Sequence, residues 1–149
     1  MLGNLIIISS PSGGGKGTLI KEILETTADI GYSVSYTTRT PRDGEENGRD
    51  YFFVSYQEFS DLIKKDEFLE YAEVHGNFYG TSKTLVNRDI ENGRDVILEI
   101  DVQGAENIVR SFPDAVSVFI MPPSFEVLRD RLTTRATETS ENLELRLKN

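Results

Sequence analysis

Apolar and polar positions fall into distinct blocks along the chain. Leu5-Ile6-Ile7-Ile8 is apolar at every position, the pattern of a strand buried on both faces. Gly13-Gly14-Gly15 follows, and then Gly17 to Thr26 carries Leu19, Ile20, Ile23 and Leu24 at helical spacing. Strand, glycine loop and helix in this order open a doubly wound α/β fold. Ser33 to Thr38 reads as a strand, Arg39 to Asp50 as a polar loop, and Tyr51 to Val54 as a short strand. Tyr56 to Lys65 is a predicted helix with Phe59, Leu62 and Ile63 on one face, and Phe68 to Val74 alternates like a strand. Ser82 has the side chain of an N-cap for a helix whose apolar stripe is Leu85, Val86 and Ile90. The parallel pattern resumes with a strand from Val96 to Asp101, a helix from Gly104 to Arg110, a strand from Val116 to Ile120, and a helix from Phe125 to Thr133. Ser140 can cap a last helix, whose Leu143, Leu145 and Leu147 have no later strand to rest on; the pattern therefore lacks a closing strand and helix.

The expectation is one α/β domain over residues 1–149, a P-loop-type parallel sheet flanked by helices. Residues 33–81, with short strands and many aromatic residues, form a mixed α+β insertion, and residues 1–32 and 82–149 form the core, with a lid at about 131–146. Absence of cysteine excludes disulfides, thiol catalysis and cysteine-ligated zinc, and fits a cytoplasmic protein. No apolar run is long enough to span a membrane. A net charge of −9 argues against nucleic acid as a partner, which needs a basic footprint. A small anion needs only a local cluster of cations and backbone N–H groups.

Ser9-Ser10-Pro11-Ser12-Gly13-Gly14-Gly15-Lys16-Gly17-Thr18 supplies such a cluster. The phosphate loop has the form G-x-x-x-x-G-K-[ST]. Its glycines let consecutive N–H groups face a phosphate, and the following helix adds its own unpaired N–H groups. Ser12 to Thr18 would bind ATP phosphates, with Lys16 as the cation that follows the transferred group. Two positions depart from the pattern: Ser10 replaces the first glycine, and Gly17 stands where a hydroxyl usually reaches magnesium, with Thr18 one place later.

A second cluster is Ser35-Tyr36-Thr37-Thr38-Arg39-Thr40-Pro41-Arg42-Asp43-Gly44-Glu45, followed by Gly48-Arg49-Asp50-Tyr51. Arg39 and Arg42 in one loop suit bidentate phosphate binding. Downstream lie Phe68-Leu69-Glu70-Tyr71 and Gly76-Asn77-Phe78-Tyr79-Gly80-Thr81.

These motifs, in this order over the whole chain, resemble the signature of guanylate kinases. The resemblance implies a core sheet, a GMP-binding insertion at 33–81 and a lid, with MgATP as phosphoryl donor and GMP, with dGMP open, as acceptor. It implies that Ser35, Glu70 and Thr81 contact guanine and that Arg39, Arg42, Tyr51 and Tyr79 hold the GMP phosphate, with Glu45 orienting the arginines. A carboxylate can accept from both N–H groups on the guanine edge, which adenine does not offer. Without the resemblance, Glu70 reads as a solvent-facing strand acid and Tyr51 and Tyr79 as core aromatics. Asp101 ends a strand where it could hold magnesium through water together with the Gly17-Thr18 region; Glu99 points the same way along that strand, and the family's GMP site also borders Asp101. Arg131, Arg135 and Arg146 match arginines that close on the ATP phosphates and, with Lys16 and Arg39, would carry catalysis; Arg129 reads as surface and His75 as a loop residue beside the GMP site. Two rivals are a silent guanylate-kinase-like module that binds phosphopeptides and a related kinase of a phosphorylated sugar. The intact Gly13, Gly15 and Lys16 oppose the first, and Ser35, Glu70 and Thr81 the second.

Overall fold

A computed structural model describes residues 2–11 and 14–134. The expected final helix from Ser140, with Leu143, Leu145 and Leu147, lies outside the described residues. The core is a four-stranded parallel sheet in the order β2-β7-β1-β8, built from β1 (Leu5–Ser9), β2 (Ile30–Ser33), β7 (Asp95–Glu99) and β8 (Val116–Phe119). β1 pairs with β7 through Ile8↔Glu99 and with β8 through Ser9↔Phe119, so the strands end at nearly one level.

The uniformly apolar strands are explained by two covered faces. Ile8 and Ile97 pack with Ile20 of α1 (Lys16–Thr26) on one face. Leu5, Ile7, Val96 and Leu98 pack on the other with Val86 of α3 (Lys83–Glu91) and Ile108 of α4 (Val102–Ser111). Ser82 caps α3 as its sequence position predicts, its hydroxyl accepting from Leu85 N at 3.3 Å. α5 (Phe125–Thr134) follows β8.

A second sheet has the order β4-β3-β6-β5, from β3 (Tyr36–Thr37), β4 (Phe52–Phe53), β5 (Phe68–Val74) and β6 (Asn77–Ser82). The single strand expected over Ser33 to Thr38 is two strands in different sheets: β2 ends in the core at Ser33, and β3 starts the second sheet at Tyr36. Ser33 and Thr37, on either side of the break, are both buried. β5 and β6 join through His75 and Gly76 at φ 50° and 75°, the left-handed pair that a two-residue hairpin turn requires. α2 (Tyr56–Lys64), started by a capping box between Ser55 and Glu58, covers the sheet with Phe59. Phe59 stacks on Phe68 at 4.6 Å and on Phe78 at 5.5 Å.

Gly80 lies under this stack. A Cβ there would sit 2.9 Å from Phe68 and 3.0 Å from Phe59. Gly80→Ala should therefore cost about 1–3 kcal/mol by overpacking, a fall of several degrees in a thermal melt; an unchanged melting temperature would show that the rings yield freely.

Candidate functional site

The parallel strands deliver their following loops to one end of the core sheet, where the second sheet meets it. A cavity of about 390 Å³ opens there. The core contributes Ser10, Pro11, the helix start from Gly14 to Thr18, and Glu99, Ile100 and Asp101 where β7 passes into α4; the second sheet contributes Ser35, Arg39, Arg42, Tyr51, Glu70 and Tyr79. His75 lies on the same rim.

In the phosphate loop Gly14 N donates to Pro11 O at 3.0 Å, and a Cβ on Gly14 would crowd Ser10 at 2.9 Å. Gly15 is left-handed at φ 91°, directly before the first turn of α1, which gives the helix N-terminus its open approach. Ser12 and Gly13 lie outside the described residues. Lys16 Nζ donates to Ile100 O at 3.3 Å and pairs with Glu99 Oε1 at 3.5 Å. Gly17 leaves room beside this pair: a Cβ there would be 3.8 Å from Glu99 Oε1. From the far side, Arg131 on α5 donates through Nη1 to Gly14 O at 3.4 Å, which brings it to the loop. Arg135 and Arg146 lie outside the described residues, as does most of the expected lid.

Across the cavity, Arg39 and Glu45 form a two-pronged pair, Nη1 to Oε2 at 3.0 Å and Nη2 to Oε1 at 2.9 Å. Glu45 Oε2 also accepts from Arg42 N at 2.7 Å, so one carboxylate organises the loop that carries both arginines. The Arg39 hydrogen bond holds Glu45 below the usual carboxylate range, and Glu45 in turn raises Arg39, so both stay charged. The Arg39 guanidinium lies 5.3 Å from the centre of the Tyr51 ring, and Tyr51 meets Tyr79 edge-on at 6.0 Å. Burial pushes the Tyr51 hydroxyl up to about 12, so it stays a hydrogen-bond donor at neutral pH.

Glu70 lies on β5 directly opposite Thr81 on β6. It is buried, at 9% exposure, rather than solvent-facing. Thr81 Oγ1 donates to its Oε1 at 2.8 Å. Its Oε2 faces the first turn of α4, where a Cβ on Gly104 would be 2.9 Å away. Burial pushes its carboxyl up to about 7 against the opposing Thr81 hydrogen bond, and the nearby Asp101 charge adds to the rise. Asp101 caps α4, accepting from Gly104 N at 2.9 Å, and lines the cavity as well.

One residue outside the sequence-derived set, Tyr32, joins this constellation through Glu99, which the sequence places beside Asp101. Glu99 pairs with Lys16, and Tyr32 on β2 donates its hydroxyl to Glu99 Oε2 at 3.0 Å. Tyr32 gave no local signal, because its partner is 67 positions away.

The Glu70 carboxyl ionises at about 4.5 in an unfolded chain and at about 7 in the empty fold. Its ionisation therefore opposes folding increasingly as pH rises from 4.5 to 7, and fully above, by about 3 kcal/mol. Glu70→Gln should accordingly raise the melting temperature of the ligand-free protein at pH 8 by several degrees and change it little at pH 4.5. Melts of both proteins at the two pH values check this; a lower melting temperature for the variant at pH 8 would contradict the assigned burial cost.

Comparison with known proteins follows the same lines. The sequence model of the guanylate kinase family, described as "Guanylate kinase", matches residues 2–149. The guanylate kinase of Dechloromonas aromatica (strain RCB) is 52% identical over 147 residues, 99% of this chain and 73% of that protein. That of Clostridium tetani (strain Massachusetts / E88) is 51% identical over 146 residues, 98% of this chain and 71% of that one. The crystal structure of guanylate kinase from Anaplasma phagocytophilum superposes with a TM-score of 0.79 at 38% identity, covering 99% of this chain and 68% of that chain. With a phosphate loop facing an arginine loop and a buried carboxylate across one cavity, and with these relatives, the chain belongs to the guanylate kinase family of ATP:GMP phosphotransferases.

Proposed function

We propose that the second sheet holds GMP and the loop after β1 holds the ATP phosphates, so that the cavity between them is where the γ-phosphoryl of ATP passes to GMP, giving ADP and GDP. The observation that carries this reading is Glu70, a buried carboxylate facing the same cavity as the phosphate loop. Guanine presents two adjacent N–H donors, and a carboxylate can accept both. Their arrival favours the charged form of Glu70 and offsets its burial. A base without that donor pair leaves the carboxylate unsatisfied, which discriminates strongly.

Arg39 and Arg42, set by Glu45, receive the phosphate of GMP, with the Tyr51 and Tyr79 hydroxyls beside it; Ser35 and Thr81 complete the base side. A terminal oxygen of that phosphate attacks the γ-phosphorus in line. The bond from γ-phosphorus to the bridging oxygen breaks, and ADP leaves with the electron pair. The attacking oxygen is already ionised, so no strong general base is required. Lys16, Arg39 and Arg131 stabilise charge on the equatorial oxygens. The resemblance adds Arg135 and Arg146 to these cations.

The Thr18 hydroxyl and Asp101 carboxylate, both on the cavity wall, are hard oxygen donors that suit magnesium. Among the described residues no group of three or more acidic or histidine side chains is placed to hold a metal. Magnesium bound there would neutralise charge on the β- and γ-phosphate oxygens. No described helix is long and apolar enough to cross a membrane.

ADP release from MgATP, measured with GMP, AMP, CMP and UMP in parallel, tests the assignment. Turnover is expected with GMP alone and should fall at least about a hundredfold in Lys16→Ala. Equal turnover with AMP would sink the role given to Glu70. Gly104→Ala, which pushes a methyl group against Glu70, should raise the KM for GMP about ten- to a hundredfold while leaving the KM for ATP unchanged; parallel changes in both constants would show that the substitution acts on the fold instead.

A further inference from the structure

We propose that Tyr32 is a positioning residue for the phosphate-loop lysine, acting through Glu99 to set how readily Lys16 is released to an incoming nucleoside triphosphate. The proposal rests on the reading of the loop after β1 as the ATP site.

Three groups stand in a line across the end of the core sheet. The Tyr32 hydroxyl donates to Glu99 Oε2 at 3.0 Å, and Glu99 Oε1 faces Lys16 Nζ at 3.5 Å. Lys16 also donates to Ile100 O at 3.3 Å. Lys16 and Glu99 are both largely shielded, with side-chain exposures of 17% and 24%. In the empty protein Lys16 is therefore docked against the wall of the cavity, on a carboxylate and a carbonyl. To reach a triphosphate it must leave that carboxylate behind.

Glu99 does not lose its last partner when this happens, because Tyr32 holds the other oxygen. A shielded carboxylate stripped of both partners would carry a large desolvation cost. The hydrogen bond also draws charge from Glu99 and weakens its hold on Lys16. Tyr32 is well placed for such a fixed role. Its ring packs with the cluster of Ile8, Ile20 and Ile97, and burial together with the neighbouring Glu99 charge raises its hydroxyl far above the ordinary tyrosine range. It stays protonated and donating throughout the working pH range.

A thermodynamic cycle on Tyr32→Phe, Glu99→Gln and the double variant isolates the relay. The measurement is ATP affinity by calorimetry with EDTA present, so that no metal intervenes, with a thermal melt of each protein. Tyr32→Phe keeps the packed ring and should weaken ATP binding roughly three- to tenfold. Glu99→Gln should tighten it, because Lys16 is no longer docked on a charge. In the Glu99→Gln background, Tyr32→Phe should have no further effect. A purely structural role for Tyr32 would weaken binding equally in both backgrounds, and that result would overturn the proposal. If Tyr32→Phe does not fold, Glu99→Gln alone decides: unchanged or weaker ATP binding overturns the docking of Lys16 on Glu99. Failure of the unmodified protein to bind ATP would sink the reading of the phosphate loop itself, whereas ATP binding with an additive cycle removes only the relay.

Discussion

Ile8 stands opposite Glu99 in the parallel register of β1 and β7, and that pairing decides where the chemistry lies. Parallel strands release their chains at the same end. The phosphate loop after Ser9 and the acidic segment from Glu99 to Asp101 thus emerge side by side. The apolar packing on both faces of these strands makes the register hard to slip, since a one-residue shift would turn Ile97 and Leu98 toward the wrong layers. Lys16 then needs only its ordinary reach to touch the neighbouring strand end at Ile100.

The second sheet is held to this frame by contacts that serve two purposes. Glu70 sits on β5, yet its Oε2 lies against the first turn of α4 in the core, over a position where glycine leaves space. The same helix turn is capped by Asp101, whose charge bears on Glu70. On the proposed reading of Glu70, base recognition and the joining of the two sheets therefore share atoms. Among the described residues, the hydrogen-bond partner of this buried carboxylate is Thr81. On the proposed reading, a ligand that supplies two N–H donors offsets the cost of burying that carboxylate, and selectivity follows from that cost.

Legibility in the sequence followed distance along the chain. The phosphate loop could be read because its glycines and Lys16 are contiguous and framed by a buried strand and an amphipathic helix. Arg39, Arg42 and Glu45 share one loop, and their pairing is local. Glu70 and Thr81 meet only across a hairpin, and composition gave Glu70 the pattern of an exposed acid; the family resemblance, not periodicity, singled it out as a candidate. β6 escaped the pattern altogether, because its buried residues Gly80, Thr81 and Ser82 are small or polar where a strand signal needs branched or aromatic side chains. β2 and β3 merged into one expected strand because alternation records burial without recording which sheet does the burying.

The glycine at position 17, where the phosphate-loop pattern has serine or threonine, has a consequence for how such a loop can change over evolution. Its missing side chain borders the Lys16–Glu99 pair, with Glu99 Oε1 only 3.8 Å from where a Cβ would be. A hydroxyl introduced there would come within hydrogen-bonding reach of that carboxylate, which would then compete with any metal for it. Glycine at 17 and an acid at 99 thus share one small space. A lineage that exchanges one has reason to exchange the other, and the two positions are expected to covary.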